Sequence, residues 1–406
     1  MTDPSYRGQI LVFTSPLIGN YGVPSNEPTA EFPGIPQMES TGVQCAGVIV
    51  TDVALKHSHY LAIESLHEWC DRHGVPGVSG IDTRAVTTLL RDQGTTLGRI
   101  AVGEAEVAKP APAAEEYWDP STENLIAQVS TKEPYILNPN GDVHIAVMDY
   151  GTKTNILRSL MKRNAKVTVL PWNHDFHAVQ DDFDGLFLSN GPGDPKSILP
   201  AVDNLRKTFA SYGKPIFGIC MGWCVTASPP APKDIRLLTG ALPVPPCAPR
   251  SQLIGLAAGM ETYRMTFGNR GHNQPVLALV DSGSIKAGRV YITSQNHQYA
   301  VKLDEFPEGW APFFINANDS SVEGVISTTK DIRGVQYHPE SAGGPLDTMQ
   351  VGRRVASNPR PRNRLQRLTV DSSWANAALR RLYRRLPCSQ GWLAHRPPWH
   401  RKGSDR

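Results

Sequence analysis

A hydrophobic run, Pro215–Ile219, leads directly into Cys220-Met221-Gly222, with Gly218 two residues ahead of the cysteine. Gly-x-Cys-x-Gly at a strand end is the thiol form of a nucleophile elbow, because the glycines permit a tight turn that holds the central side chain strained and presented. The same turn frees the Met221 amide to stabilise an oxyanion. Far downstream a second strand-like run, Ile332–Tyr337, ends in His338-Pro339-Glu340. An imidazole lowers a thiol's pKa by forming a thiolate–imidazolium pair and can pass its proton to a leaving amine. A carboxylate two residues on can orient the ring and fix its tautomer. Taken singly, these motifs have bland readings as a buried structural cysteine and a capped turn. Together, at strand ends of one domain, they make Cys220, His338 and Glu340 candidates for a nucleophile, its acid/base and the orienting carboxylate.

A third motif, Ser189-Asn190-Gly191-Pro192-Gly193-Asp194-Pro195, follows another strand. It lacks the Gly-Lys-Ser/Thr ending of a phosphate-binding P-loop. Its backbone amides are instead expected to supply a second oxyanion donor and part of a substrate wall. Cys220-x3-Cys224 suggests zinc, but no fourth partner stands at a recognisable spacing, so no metal site is expected.

The elements that must position these groups show two grammars. Up to about residue 105, short β-rich stretches such as Gln9–Thr14 and Ala46–Val50 mix with two helical patterns. The first is expected to start at Ser58, carry Leu61, Leu66, Trp69 and Cys70 on one stripe, and stop at Gly74. The second starts near Asp82 or Thr83, packs Leu89 and Leu90, and stops at Gly94. This predicts a compact, β-rich α+β domain. A Pro/Ala/Glu-rich linker, roughly 104–120, and an irregular crossing over 120–140 follow. From His144, strands at His144–Met148, Val167–Leu170, Gly185–Ser189 and Pro215–Ile219 alternate with helices such as Thr152–Asn164. That alternation predicts an α/β fold, a parallel sheet covered on both faces with ligands at the carboxyl ends of its strands.

Composition sets the outer limits. No apolar run approaches the ~18 residues a membrane span needs, and residues 1–25 lack a secretory signal pattern, so an intracellular protein without a membrane partner is expected. Six cysteines in 406 residues are too few for a disulfide framework. Residues 351–406 hold 14 Lys and Arg against 2 Asp and Glu, leaving 27 against 36 for the first 350. This basic tail has no hydrophobic periodicity and clusters Pro with Trp and Arg, so it reads as an unstructured appendage rather than a nucleic-acid-binding element.

The set SNGPGDP, FGICMG, QNHQYAV and YHPE resembles the class I glutamine amidotransferases. DPSYRGQI, PLIGNYGVPSN and GIDTRAVTTLLRDQG resemble the N-terminal domain of carbamoyl phosphate synthetase small subunits, and METYRMTFGNRGHNQPV points to the fungal arginine-specific type. The resemblance implies a flavodoxin-like amidotransferase domain over 140–350, preceded by a small-subunit domain and linker over 1–139. It implies that Cys220 forms a glutamyl thioester with His338 and Glu340 in support, and that Gly191 and Met221 amides form the oxyanion hole. Ser5, Gly191, Gly193, Gln252, Asn296, Gln298 and Tyr299 fall on glutamine-holding positions. The implied partner is a large synthetase subunit that receives the ammonia and uses ATP and Mg, with no cofactor in this chain. The mitochondrial matrix is expected ahead of the cytoplasm, and arginine synthesis ahead of pyrimidine synthesis. The amidotransferase of another pathway, such as anthranilate or GMP synthesis, is disfavoured by the N-terminal motifs.

The chain departs from this family at three places. Between Gly222 and Gln252 stand Trp223–Ser251, twenty-nine residues with seven prolines, where the family continues without a break into a helix. Losing that helix's first turn would remove amides and a dipole that favour the thiolate, so a catalytically inactive docking subunit is the alternative. The chain begins inside a motif that the family places several strands in, and the Arg-rich tail stands where the family closes with a short helix. Both suggest, with the insert, a translated intron and unusual splicing. We predict that transcript reads cross from the Gly222 codon to the Gln252 region through a single His codon. A mature transcript retaining the intervening codons would sink this idea.

Overall fold

The computed structural model describes residues 1–94, 96–110, 113, 116–223, 257–260, 262–303, 306–341 and 343–349. Gln252, Cys224, Cys247, most of the insert and the tail lie outside these residues. Strands β1 (Ile10–Val12), β2 (Leu17–Ile18), β3 (Val23–Pro24), β4 (Gly47–Ile49), β5 (Asp52–Val53), β6 (Ala62–Glu64) and β7 (Gly77–Val78) build the first region. There β1, β4 and β7 form a small sheet with parallel pairing, and β2–β5 and β3–β6 make two-stranded ribbons.

Helix α1 (Leu66–Arg72) begins at Ser65, not Ser58. Ser65 and Glu68 form a reciprocal capping box, a Ser-x-x-Glu signal present in the sequence. Ser58 instead donates its amide to the Asn20 carbonyl in a loop, and Leu61 lies outside the helix, exposed. Helix α2 (Thr83–Gln93) starts after Asp82, whose side chain accepts from the Ala85 amide, and stops at Gly94 as expected. Its Leu89 is exposed rather than packed. A one-turn helix, α3 (Glu104–Val107), sits in the linker stretch.

The stretch 120–140 is more ordered than its sequence suggests. It holds α4 (Leu125–Val129), whose Leu125 and Ile126 are buried, and β8 (Tyr135–Leu137), which pairs antiparallel with a strand of the main sheet. Short elements of this kind carry too little periodicity to stand out until a sheet edge and a core receive them.

The main sheet adds β9 (Val143–Asp149), β10 (Ala165–Pro171), β11 (Gly185–Leu188), β12 (Ile216–Ile219), β13 (Thr262–Ala278), β14 (Val290–Val301), β15 (Trp310–Asn316), β16 (Val322–Ser327) and β17 (Ile332–Val335). Its ten strands run in the order β14-β13-β15-β16-β17-β12-β11-β9-β10-β8. The five central strands, β10-β9-β11-β12-β17, pair in parallel. Numbered by their place in the chain they read 2-1-3-4-5, the flavodoxin-like order.

Alternation along each strand serves both faces. Ile145 and Val147 of β9 join one apolar cluster with Ile156, Leu157 and Leu160 of α5 (Thr154–Met161). Ala146 and Met148 of the same strand join the opposite cluster. That second cluster contains Phe176 of α6 (Phe176–Val179) and Ala201, Val202, Leu205 and Phe209 of α7 (Leu199–Ser211). Near-continuous apolar strands are what burial on two faces requires. Among the described residues no helix is long and apolar enough to cross a membrane.

Ile145 is wholly buried in the central strand. Ile145→Ala should cost about 3 kcal/mol, the transfer and cavity cost of an aliphatic truncation in a packed core. A lowered urea midpoint checks it.

Candidate active site

All the predicted catalytic groups emerge from carboxyl ends of parallel strands. Cys220 follows β12 at once, with φ of 52°. A left-handed backbone costs a non-glycine residue about 1–2 kcal/mol, so the neighbours must hold it there. They do: the Gly222 amide donates to the Ser189 carbonyl, and a Cβ on Gly222 would lie 2.2 Å from the Leu188 carbonyl oxygen. Gly191 is equally constrained, since a Cβ there would meet the Tyr150 carbonyl oxygen at 2.1 Å. Both glycines let the loops after β11 and β12 lie against their neighbours.

The Cys220 side chain is buried. Its Sγ lies 3.9 Å from the Asn296 carbonyl oxygen and accepts from Gln336 Nε2 at 3.7 Å. His338 follows β17 and is buried, with its amide donating to the Ser294 carbonyl. Its Nδ1 donates to Glu340 Oε1 at 2.8 Å. That bond assigns the proton to Nδ1 and turns Nε2 toward the sulfur side. Nε2 is buried without a hydrogen-bond partner among the described residues, free to take or give a proton.

Sequence reasoning missed Lys153, on the turn after β9. Its buried ammonium lies 3.2 Å from Glu340 Oε1 and 3.3 Å from Asp3 Oδ2. It also stands 3.3 Å from His338 Nδ1, a closeness imposed by the carboxylate they share. Burial disfavours the ammonium, but Asp3, Glu340 and Glu39 outweigh it and raise the Lys153 pKa above its ordinary value. Burial alone would raise the Glu340 carboxyl; Lys153 and then His338 reverse this and hold it at about 2. Burial and Lys153 both oppose protonation of His338, yet Glu340 and the Cys220 sulfur carry its pKa up to about 9. The arrangement favours a charged imidazole beside a sulfur at neutral pH.

The turn holding Lys153 has its own scaffold. Asp149 Oδ1 accepts from the amides of Gly151 and Thr152, and Asn190 Oδ1 accepts from the Lys153 amide. Asn190 Nδ2 in turn donates to Ser5 Oγ at 2.9 Å. Asp3 caps the short turn that carries Ser5. Glu39 takes the Asn155 amide at the start of α5, where Lys153 offers no side-chain cap. The first region therefore contributes directly to the charge cluster. Only the DPSY and DYGTK strings hinted at it, and neither has a period or a spacing that names a partner.

The other predicted positions divide. Ser5, Gly191, Gly193, Met221 and Asn296 all belong to the loops and strand named above or to the turn around Cys220. Gln298 and Tyr299 lie further along β14. The Gln298 side chain accepts from Arg270 Nη2 at 2.8 Å and donates to the Met265 carbonyl at 2.6 Å, while the Tyr299 carbonyl accepts from His297 Nδ1. Gln252 lies outside the described residues. Among the described residues no group of three or more His, Cys, Asp or Glu could hold a metal ion.

Known proteins resemble this chain over most of its length. Residues 1–100 match the model for the carbamoyl-phosphate synthase small chain, CPSase domain, and residues 146–228 and 251–355 match that for glutamine amidotransferase class-I. The chain is 47% identical over 359 residues to a carbamoyl phosphate synthase arginine-specific small chain of Chaetomium globosum, covering 88% of this chain and 70% of that one. The protein of the same description from Yarrowia lipolytica is 48% identical, with 86% and 71% covered. The chain belongs to the carbamoyl phosphate synthase small-chain family. It thus carries a class I glutamine amidotransferase domain, and the family model skips residues 229–250, inside the segment already marked as an insert.

A pH experiment tests the charge cluster. Because His338 rises from about 6.5 unfolded to about 9 folded, its stabilising contribution is complete below about pH 6.5 and lost as pH rises through about 9. Glu340→Gln removes the carboxylate that raises it. The fall in Tm between pH 7 and 9.5 should be shallower in this variant than in the parent.

Proposed function

We propose that this chain is the glutamine-hydrolysing subunit of a carbamoyl phosphate synthetase. The observation that carries the proposal is the buried Cys220 sulfur on its left-handed turn, sharing a cluster with a His338 that Glu340 holds by Nδ1.

In this reading Cys220 Sγ, as the thiolate, attacks the side-chain carbonyl carbon of glutamine. The oxygen takes up the negative charge against the Gly191 and Met221 amides. The tetrahedral species collapses, the C–N bond breaks, and the nitrogen leaves as ammonia with the proton that His338 Nε2 supplies. Water then attacks the glutamyl thioester, giving its proton to His338 and releasing glutamate and the thiolate. Glu340 keeps the ring in the tautomer that presents Nε2 and steadies its charge. Lys153 positions Glu340, and Asp3 positions Lys153.

Ser5, Gly193, Gln252, Asn296, Gln298 and Tyr299 are proposed to hold the glutamine. Gln298 would act through its backbone, since its side chain is engaged with Arg270 and Met265. The ammonia would pass to a large subunit that supplies the ATP and Mg chemistry, with arginine synthesis favoured by the likeness to arginine-specific small chains. A mitochondrial site belongs to the same proposal.

A second reading has one specific observation behind it. Residues 229–250, between Gly222 and Gln252, fall where the family model has a gap, a short way past the nucleophile in the chain. Such a chain could keep the large-subunit interface without cleaving glutamine.

Glutamine-dependent ammonia release, measured with and without a fungal large subunit, separates the two. Under the first reading the parent chain releases ammonia and Cys220→Ala lowers the rate by about a thousandfold or more, as loss of a covalent nucleophile does. A parent chain that binds the large subunit but releases no more ammonia than Cys220→Ala supports the second.

A further inference from the structure

Gln336 is wholly buried at the end of β17. Its position follows from pairing: Ile219 and Val335 are Cα partners in the parallel β12–β17 ladder, so the next step sets Gln336 beside Cys220. Past the end of β17 the Gln336 side chain lies against the sulfur, while Tyr337 turns to the apolar cluster and meets Phe314 edge-on. The Gln336 amide nitrogen of the backbone donates to the Glu323 carbonyl, fixing the strand end.

A carboxamide in such a place needs a reason. Methionine would fill nearly the same volume without burying polar atoms, whereas Gln336 leaves Oε1 buried without a partner among the described residues. Its Nε2 has the Cys220 sulfur at 3.7 Å. The sulfur therefore lies between two opposite influences. The Asn296 carbonyl at 3.9 Å can accept only from S–H and so favours the thiol. The Gln336 N–H can donate to the anion and so favours the thiolate.

We propose that Gln336 is a catalytic residue, its side-chain amide stabilising the Cys220 thiolate by donating to it. This deepens the glutaminase reading and rests on it. Nε2–H takes part in no proton transfer: it solvates the anion in a site where bulk water does not, and it keeps doing so as the thiolate re-forms on thioester hydrolysis. His338 supplies and removes the proton, and Gln336 donates to the sulfur while it carries the charge.

The test is the alkylation rate of Cys220 by iodoacetamide at pH 7 in the full chain, followed by mass spectrometry of the peptide that contains it. In that reaction the thiolate forms the C–S bond and iodide leaves, and no glutamine is needed. Gln336→Met keeps the volume and removes the donor; Gln336→Glu keeps the shape and places a carboxylate against the sulfur. Alkylation should slow about tenfold in Gln336→Met, the scale of one hydrogen bond to a charged group, and further in Gln336→Glu. For glutamine hydrolysis, kcat should fall in step while KM stays within about twofold.

Equal alkylation rates in Gln336→Met and the parent overturn the proposal, as does a Glu variant that reacts faster than the Met one. If the variants slow alkylation as expected but the parent releases no ammonia, the glutaminase reading fails and the Gln336 contact stands. Should either variant lose its far-UV circular dichroism, Gln336→Asn, which withdraws the amide by one methylene, is measured in its place with the same expected slowing.

Discussion

The parallel ladder between β12 and β17 is the constraint from which the site follows. Its register pairs Ile216 with Ile332 through Ile219 with Val335. Both strands therefore end at the same level, one releasing Cys220 and the other Gln336 and His338. A slip of one residue would reverse every side chain on β17. Gln336 would then no longer follow the partner of Ile219, and a different group would stand beside Cys220. The buried pattern on both sides of these strands makes that slip costly, so packing that has no chemistry of its own determines which groups meet.

Charge completes what register begins. His338, Glu340 and Lys153 come from two strand ends that lie apart in the sheet, and Asp3 comes from the first region of the chain. A buried ammonium among carboxylates is strained in isolation and stable only as a set. Lys153 pairs with both Asp3 and Glu340, and Glu340 with both Lys153 and His338, so the cluster ties the position of the N-terminal turn to the state of the imidazole. The Ser5–Asn190–Lys153 chain of hydrogen bonds runs beside it and makes the same connection without charge.

Much of the sheet was legible in the sequence. Apolar runs located β9 to β12 and β17 within a residue or two, because strands buried on both faces have continuous apolar signatures. Asp82 and Gly94 marked α2 for local reasons of capping. The misplacement of the α1 start shows the limit: Ser58 and Ser65 are both fair caps, and only the second has a glutamate three residues on and a core for Trp69 to enter. The ordered α4 and β8 were hidden because five- and three-residue elements acquire stability from the surfaces that receive them.

The sequence by itself determined that a thiol and an imidazole–carboxylate pair would stand at strand ends of an α/β domain, since turn chemistry, alternation and residue type are local properties. It could not bring Lys153 and Asp3 to Glu340, or Gln336 to Cys220. Those contacts join positions as much as 337 apart, Asp3 with Glu340 through Lys153. Long-range electrostatics and strand order have no periodic trace along a chain. Only the folded sheet, which brings the carboxyl ends of β9, β11, β12 and β17 to one edge, decides which side chains share a charge.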